Sequence, residues 1–132
     1  MNFQVPTKTT INDSEYKPDP YVLPFAPELV DFIQKNLKLT TYRFGDKYDY
    51  LNVGDVVTIQ NSATKEYVLK ARITNKQSTT FAHLPLDNGA HESYKDKDHQ
   101  RNVLSGYYKY IGRDIKDDDS FLVISFELLK DS

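Results

Sequence analysis

Lys38, Thr41 and Arg43 bring an ammonium group, a hydroxyl and a guanidinium together within one short stretch of chain. In an extended strand Thr41 and Arg43 share a face, because side chains repeat every two residues. Lys38 would point the other way unless the chain turns at Leu39–Thr40. The plain alternative is a lysine at a helix C-terminus, where it favours the dipole, followed by ordinary strand surface. Arg43 carries a planar fork suited to a ligand carbonyl or phosphate; its alternative is a surface ion pair with Asp46 or Asp49. Far along the chain, His91, Glu92 and Tyr94 form a second polar cluster. The histidine and tyrosine can orient a base by hydrogen bonding or stacking, whereas Glu92 alone reads as a solvated carboxylate. The chain has ten tyrosines and no tryptophan. Tyr42, Tyr48, Tyr50, Tyr107 and Tyr108 are the ones expected to flank a pocket, and stacking on a base contributes about 1–3 kcal/mol.

Other chemistries find no support. His83, His91 and His99 recur every eight residues, a spacing wider than zinc motifs use, and no cysteine is present to join them. No Gly-rich phosphate loop, G-x-S-x-G elbow or H-E-x-x-H occurs, so neither a metal nor a cofactor is expected. The formal net charge is −2. Long nucleic acid is usually gripped by a basic face, because phosphate neutralisation supplies most of the affinity. Lysines and arginines here are interspersed with acids, so a small ligand fits better than broad RNA binding. No apolar run approaches the roughly 18 residues of a membrane span, and the first residues lack the layout of a signal peptide. A cytoplasmic protein without a membrane partner is expected.

The elements that must position these groups follow from periodicity. Residues 1–26 are polar and hold four of the six prolines. They are expected as an extended N-terminal arm, with a short strand around Phe3–Val5, ahead of a single domain over residues 27–132. Pro27–Leu37 has a helical stripe of Leu29, Val30, Phe32, Ile33 and Leu37, with Pro27 suited to the first turn. Thr40–Phe44 and Val56–Gln60 read as strands, with Gly54 supplying a positive φ ahead of the second. Tyr67, Leu69, Ala71 and Ile73 alternate with Lys70 and Arg72 in a third strand, and a short strand is expected near Ser78–His83. Leu84–Tyr94 is a loop broken by Pro85, Asn88 and Gly89. Helical spacing returns from Lys97 to Tyr110 and stops near Gly112. Ser120–Leu128 is apolar enough for a strand buried on both sides. The predicted class is α+β, a small barrel of antiparallel and mixed strands with two main helices.

Three segments, in order, resemble the ASCH domain family, relatives of the PUA-like RNA-binding barrels. They are Lys38-Leu-Thr-Thr41-Tyr-Arg43, then Leu51-Asn-Val-Gly54-Asp55-Val-Val, then His91-Glu-Ser-Tyr94 with the Tyr107-Tyr108 helix end and the closing FLVISFELL. The likeness spans residues 27–129. It implies a PUA-like barrel with a pocket for RNA, a nucleobase or a free modified nucleoside. Some ASCH proteins remove the acetyl group of N(4)-acetylcytidine. Carried onto this chain, that activity would make Lys38 the base, Thr41 the nucleophile and Glu92 the proton shuttle, with Arg43, Tyr42, His91 and Tyr94 holding the ligand. A threonine hydroxyl is a poor nucleophile until a base takes its proton. A lysine serves as that base only if burial or a second cation, such as Arg43, lowers its pKa. Other ASCH members are ribonucleases or RNA binders, and a protein-interaction module without ligand chemistry is the third reading.

Overall fold

The structure is a computed structural model that describes residues 21–129; the strand expected near Phe3–Val5 lies outside the described residues. The elements are β1 (Val22–Phe25), α1 (Pro27–Gln34), β2 (Thr40–Phe44), β3 (Val56–Asn61), β4 (Tyr67–Thr80), α2 (Lys97–Tyr107) and β5 (Ser120–Leu128). They build one mixed five-stranded sheet in the order β1-β3-β4-β5-β2. Strand β1 runs parallel to β3, and every other pairing is antiparallel. The α+β class with two main helices agrees with the sequence reading.

The backbone ladder does not close into a barrel, since β1 and β2 are its two ends. Both edges show why. Strand β1 is four residues long and contains Pro24, which has no N–H to donate. On β2 the outward groups already have partners. Thr40 N–H donates to the Ala90 carbonyl at 3.0 Å. The Thr40 carbonyl accepts from Lys38 Nζ at 2.9 Å, and the Tyr42 carbonyl from Tyr108 Oη at 2.7 Å. Side chains bridge the seam instead: Arg43 Nη2 on β2 donates to the Pro24 carbonyl on β1 at 2.7 Å. The residues just before α1, expected as part of an arm, thus form a strand whose Leu23 and Phe25 are buried in the core.

Helix α1 is shorter than its apolar pattern predicts. Asn36 takes a positive φ of 63°, a conformation asparagine tolerates better than most residues. Asn36 N–H then bonds the Ile33 carbonyl and Leu37 N–H the Phe32 carbonyl, both at 2.9 Å, the paired bonds of a Schellman stop. The stripe narrows accordingly to Leu29, Val30 and Ile33. Phe32 and Leu37 stay exposed.

Strands β4 and β5 carry the core. Strand β4 absorbs the first part of the short strand expected near Ser78–His83 and runs to Thr80, with a register shift between Ile73 and Asn75, while Phe81–His83 form a 3₁₀ turn instead. Such a shift bends a strand without ending it. A second shift, between Ile59 and Gln60, sets Tyr67 opposite Gln60 and out of line with Leu69, Ala71 and Ile73. Tyr67 is therefore exposed. Strand β5 buries Leu122, Ile124 and Phe126 on one face, with α1, β1 and β3. Its other face packs Phe121 and Val123 against Phe81 and Leu104 of the α2 side. Each fully buried side chain of this kind contributes about 1.5–3 kcal/mol.

Helix α2 begins at Asp96, whose side chain accepts from His99 N–H at 2.8 Å. It ends at Tyr107, before the point predicted; a 3₁₀ turn covers Lys109–Ile111 and Gly112 follows at φ 79°. Lys97 secures the helix to the end of β4. Its ammonium donates to the Phe81 carbonyl at 2.7 Å, the Leu84 carbonyl at 2.9 Å and Gln100 Oε1 at 2.8 Å. Lys97→Met leaves these acceptors without their charged donor, at an expected cost of about 1.5–3 kcal/mol. Urea unfolding should show a lower midpoint with an unchanged slope; an unmoved midpoint would mean that water replaces the lysine.

Candidate active site

Because β2 is an edge strand, side chains from both of its faces reach the seam beside β1. A cavity of about 340 Å³ opens there. Thr41 and Arg43 pair with Ile124 and Leu122 on one face, and Tyr42 pairs with Val123 on the other. Lys38, Thr41, Tyr42, Arg43, His91, Glu92 and Tyr94 all line this cavity.

Two local devices assemble the group. The Schellman stop at Asn36 reverses the chain, so Lys38 leaves the helix axis and its side chain is buried against the seam. The loop carrying His91 and Glu92 is docked through Ala90, whose carbonyl accepts from Leu39 N–H at 2.8 Å as well as from Thr40. Asn88 shapes that loop, its Oδ1 accepting from Ala90 N–H at 3.0 Å and its carbonyl from His91 N–H at 2.8 Å. Glu92 is thereby brought to Lys38, with Oε2 2.8 Å from Nζ.

Burial pushes the Lys38 ammonium down to about 8. Glu92 opposes this by favouring the charged form, and Arg43 adds to it. Roughly one molecule in ten then carries a neutral amine at pH 7. His91 is pushed down to about 4, by burial first and then by the Lys38 charge, so it is neutral at physiological pH. Its Nδ1 lies 3.0 Å from the Glu92 carbonyl. As a neutral ring it donates there and keeps Nε2 as an acceptor. The His91 ring stacks on Tyr42, with centroids 3.8 Å apart and planes 8° from parallel.

Thr41 Oγ1 accepts from Arg43 Nε at 2.9 Å. The hydroxyl proton is thus not committed to that bond, and the adjacent guanidinium favours any negative charge on the oxygen. No hydrogen bond joins Lys38 to Thr41; the lysine is held by Thr40 and Glu92. Arg43 is buried, and its guanidinium lies 4.4 Å from the Phe25 ring centroid and 5.2 Å from that of Tyr48. The surface pair with Asp49 is not formed, and Asp49 meets Lys76 instead. Tyr94 is buried beside His91, and desolvation first, then Glu92, hold its phenol above the ordinary range. The three spaced histidines serve separate places: His83 bonds Thr80, His99 Nδ1 accepts from Lys95 N–H, and His91 lines the cavity.

No family model matches the chain, and no curated protein matches it. Solved structures do resemble it. An ASCH domain from Lactobacillus crispatus JV V101 superposes with a TM-score of 0.54 at 19% identity, covering 74% of this chain and 68% of that one. An ASCH protein of Zymomonas mobilis, solved as a Tyr→Phe variant, gives 0.55 at 11% identity, over 83% and 73%. The fold is that of an ASCH domain. A DUF984 protein from Enterococcus faecalis V583 shares it, with a TM-score of 0.62 at 14% identity over 77% and 67%.

Within this ASCH fold the cavity has walls that sequence reasoning did not assign to it. Pro24, Phe25 and Ala26 belong to the stretch read as an arm, and Ser62 follows β3. Their neighbourhood depends on the parallel β1–β3 pairing, for which the sequence carries no local signal. Of the five tyrosines expected around a pocket, Tyr42, Tyr48, Tyr107 and Tyr108 line it and Tyr50 does not. Tyr107 stands at the mouth, its hydroxyl donating to Glu28 Oε2 on α1 at 2.8 Å. Among the described residues no group of three His, Asp or Glu side chains could hold a metal ion, and no helix is long and apolar enough to cross a membrane.

Proposed function

We propose that the cavity binds one nucleobase with its sugar and hydrolyses an acyl amide on the exocyclic nitrogen of that base. The observation carrying this reading is the Lys38–Glu92 pair at 2.8 Å on the same cavity as the Arg43-bonded hydroxyl of Thr41. A volume of about 340 Å³ lies at the small end of ligand sites, suited to one nucleoside and not to a length of RNA. The net charge of −2 agrees with that.

Thr41 Oγ attacks the amide carbonyl carbon, and its proton passes to the neutral Lys38 amine, either after a small shift of that side chain or through the Glu92 carboxylate. Arg43 stabilises the negative charge that develops on the attacking and carbonyl oxygens. Collapse breaks the C–N bond while the proton taken from Thr41 passes from Lys38 through Glu92 to the departing amine. Water then hydrolyses the acyl-Thr41 ester by the same route reversed, releasing the carboxylic acid and restoring the hydroxyl. The stacked Tyr42 and His91 support a planar base, with neutral His91 offering an acceptor to an N–H of the ligand.

The test is hydrolysis of N(4)-acetylcytidine by the wild type and by Thr41→Val, followed by release of cytidine and acetate. Turnover in the wild type that falls at least about a hundredfold in Thr41→Val is expected. The absence of a direct Lys38–Thr41 hydrogen bond favours a second reading, a nucleoside-binding module without catalysis. Saturable binding with no product from either protein would select that second reading and sink the first.

A further inference from the structure

Asn88 and Gly89 form the one Asn-Gly step in the sequence. They begin the turn that presents His91 and Glu92, with His91 N–H donating to the Asn88 carbonyl at 2.8 Å. The Asn88 side chain is set up for chemistry of its own. Its Oδ1 accepts from Ala90 N–H at 3.0 Å, a contact that favours negative charge developing on that oxygen. The adjacent Gly89 N–H makes no hydrogen bond among the described residues, and Gly89 is exposed. Without a Cβ, the backbone is free to bring that nitrogen onto Asn88 Cγ. Asn61 provides the contrast. Its Oδ1 also accepts from the backbone, from Ala63 N–H at 3.0 Å and Thr64 N–H at 3.2 Å. There, however, the following nitrogen is engaged, since Ser62 N–H donates to the Phe25 carbonyl at 2.8 Å.

We infer that Asn88-Gly89 is a self-modification site whose conversion to isoaspartate detaches Glu92 from Lys38. The Gly89 nitrogen gives its proton to solvent base and attacks Asn88 Cγ. The Cγ–Nδ2 bond breaks, ammonia leaves, and a succinimide closes. Water opens this ring at the main-chain carbonyl to give isoaspartate, or at Cγ to give aspartate. Isoaspartate lengthens the backbone by one methylene just ahead of Ala90, whose carbonyl docks the loop on the Leu39 and Thr40 N–H groups. The turn then loses its register, and the dock and the Glu92–Lys38 pair two residues further on are lost together. Aspartate keeps both acceptors and the turn. The modification stands without the hydrolase reading; only its effect on turnover rests on that reading.

The experiment ages the wild type and Gly89→Ala in warm, mildly alkaline buffer and compares both with fresh protein and with Asn88→Asp. Residue 89 lies outside the left-handed region and a Cβ there meets open space, so Gly89→Ala should start out folded and active as the wild type. Peptide mapping with isoaspartate-specific methylation locates the product, and NMR titration of the Lys38 side chain and hydrolysis of N(4)-acetylcytidine read its effect. Isoaspartate is expected at 88 and not at 61 in the wild type, and to form at least about tenfold more slowly in Gly89→Ala. The aged wild type should show a second Lys38 signal titrating below the about 8 of fresh protein, because Glu92 no longer favours the charged amine. Asn88→Asp should show no such fall. Hydrolysis should decline in proportion to the isoaspartate fraction. The Lys38 shift in a protein without any turnover would support the modification site while removing the hydrolase reading. Asn88 left intact by ageing, equal conversion in Gly89→Ala, or isoaspartate with Lys38 unmoved would overturn the inference.

Discussion

Lys38→Met is expected to lower hydrolysis of the acylated base about a thousandfold, within the range by which a positioned base accelerates proton transfer. In the wild type the rate should rise with pH through about 8 and then level, because only the neutral amine accepts the Thr41 proton. Glu92→Gln removes the partner that favours the charged amine, so the rising limb should move to lower pH while the plateau rate falls. Stability changes as well. In Lys38→Met the Glu92 carboxylate is left without its cation, at a cost below the about 3–5 kcal/mol of breaking a fully buried pair, since its side chain is 29% exposed. The double variant Lys38→Met/Glu92→Leu should recover much of that stability and none of the activity, which separates unfolding from lost chemistry.

The linkage has a definite sign. Lys38 titrates at about 8 when folded and at 10.5 as a free side chain. Between those values the unfolded chain binds more protons, so this residue makes stability rise with pH across that window. Thermal melts of the wild type from pH 8 to 10 should show this rise, and Lys38→Met should lack it. A lysine variant with wild-type turnover and an unchanged pH–rate profile would take Lys38 out of the reaction.

The second large effect is at Arg43, which joins the two ends of the sheet. Arg43→Met deletes charge-assisted hydrogen bonds to Pro24 and Thr41 and the contacts with Phe25 and Tyr48. The expected cost is about 3 kcal/mol, in the range for hydrogen bonds to a charged group. Hydrogen exchange should quicken first at the Thr58 and Ser62 amides, which donate to Tyr21 and Phe25 at the ends of β1. Arg43→Lys should rescue little, because a single ammonium cannot reproduce the two directed bonds of the fork. Unchanged protection at those amides would show that β3 alone holds β1.

The two variants also separate positioning from chemistry. Losing Arg43 disturbs the wall formed by Pro24, Phe25 and Tyr48, so ligand affinity and turnover should fall together. Losing Lys38 leaves that wall intact, and affinity should fall less than turnover.

Much of the scaffold was legible in the residues, because its signals are local. Pro27 and the spacing of Val30 and Ile33 specify α1, Gly54 takes the positive φ its turn requires, and a β-branched run marks β3, alternation the start of β4 and a continuous apolar run β5. The boundaries were less legible. Asn36 stops α1 early by its own left-handed conformation, and a register shift carries β4 past the point where alternation fades. The separate residues able to do chemistry were legible too, as an ammonium, a hydroxyl, a guanidinium and a distant carboxylate.

What brings them together was not. Spacing places Lys38 on the wrong face of a continued strand, and nothing local fixes Glu92, far along the chain, beside it. Only the folded chain supplies the Ala90 carbonyl that docks the loop onto Leu39 and Thr40, and the parallel β1 strand that completes the cavity wall. Helix and strand signals arise from neighbours a few residues apart, so one sequence states them. The site depends on contacts whose partners are distant in the chain, and those energies exist only once the sheet is assembled.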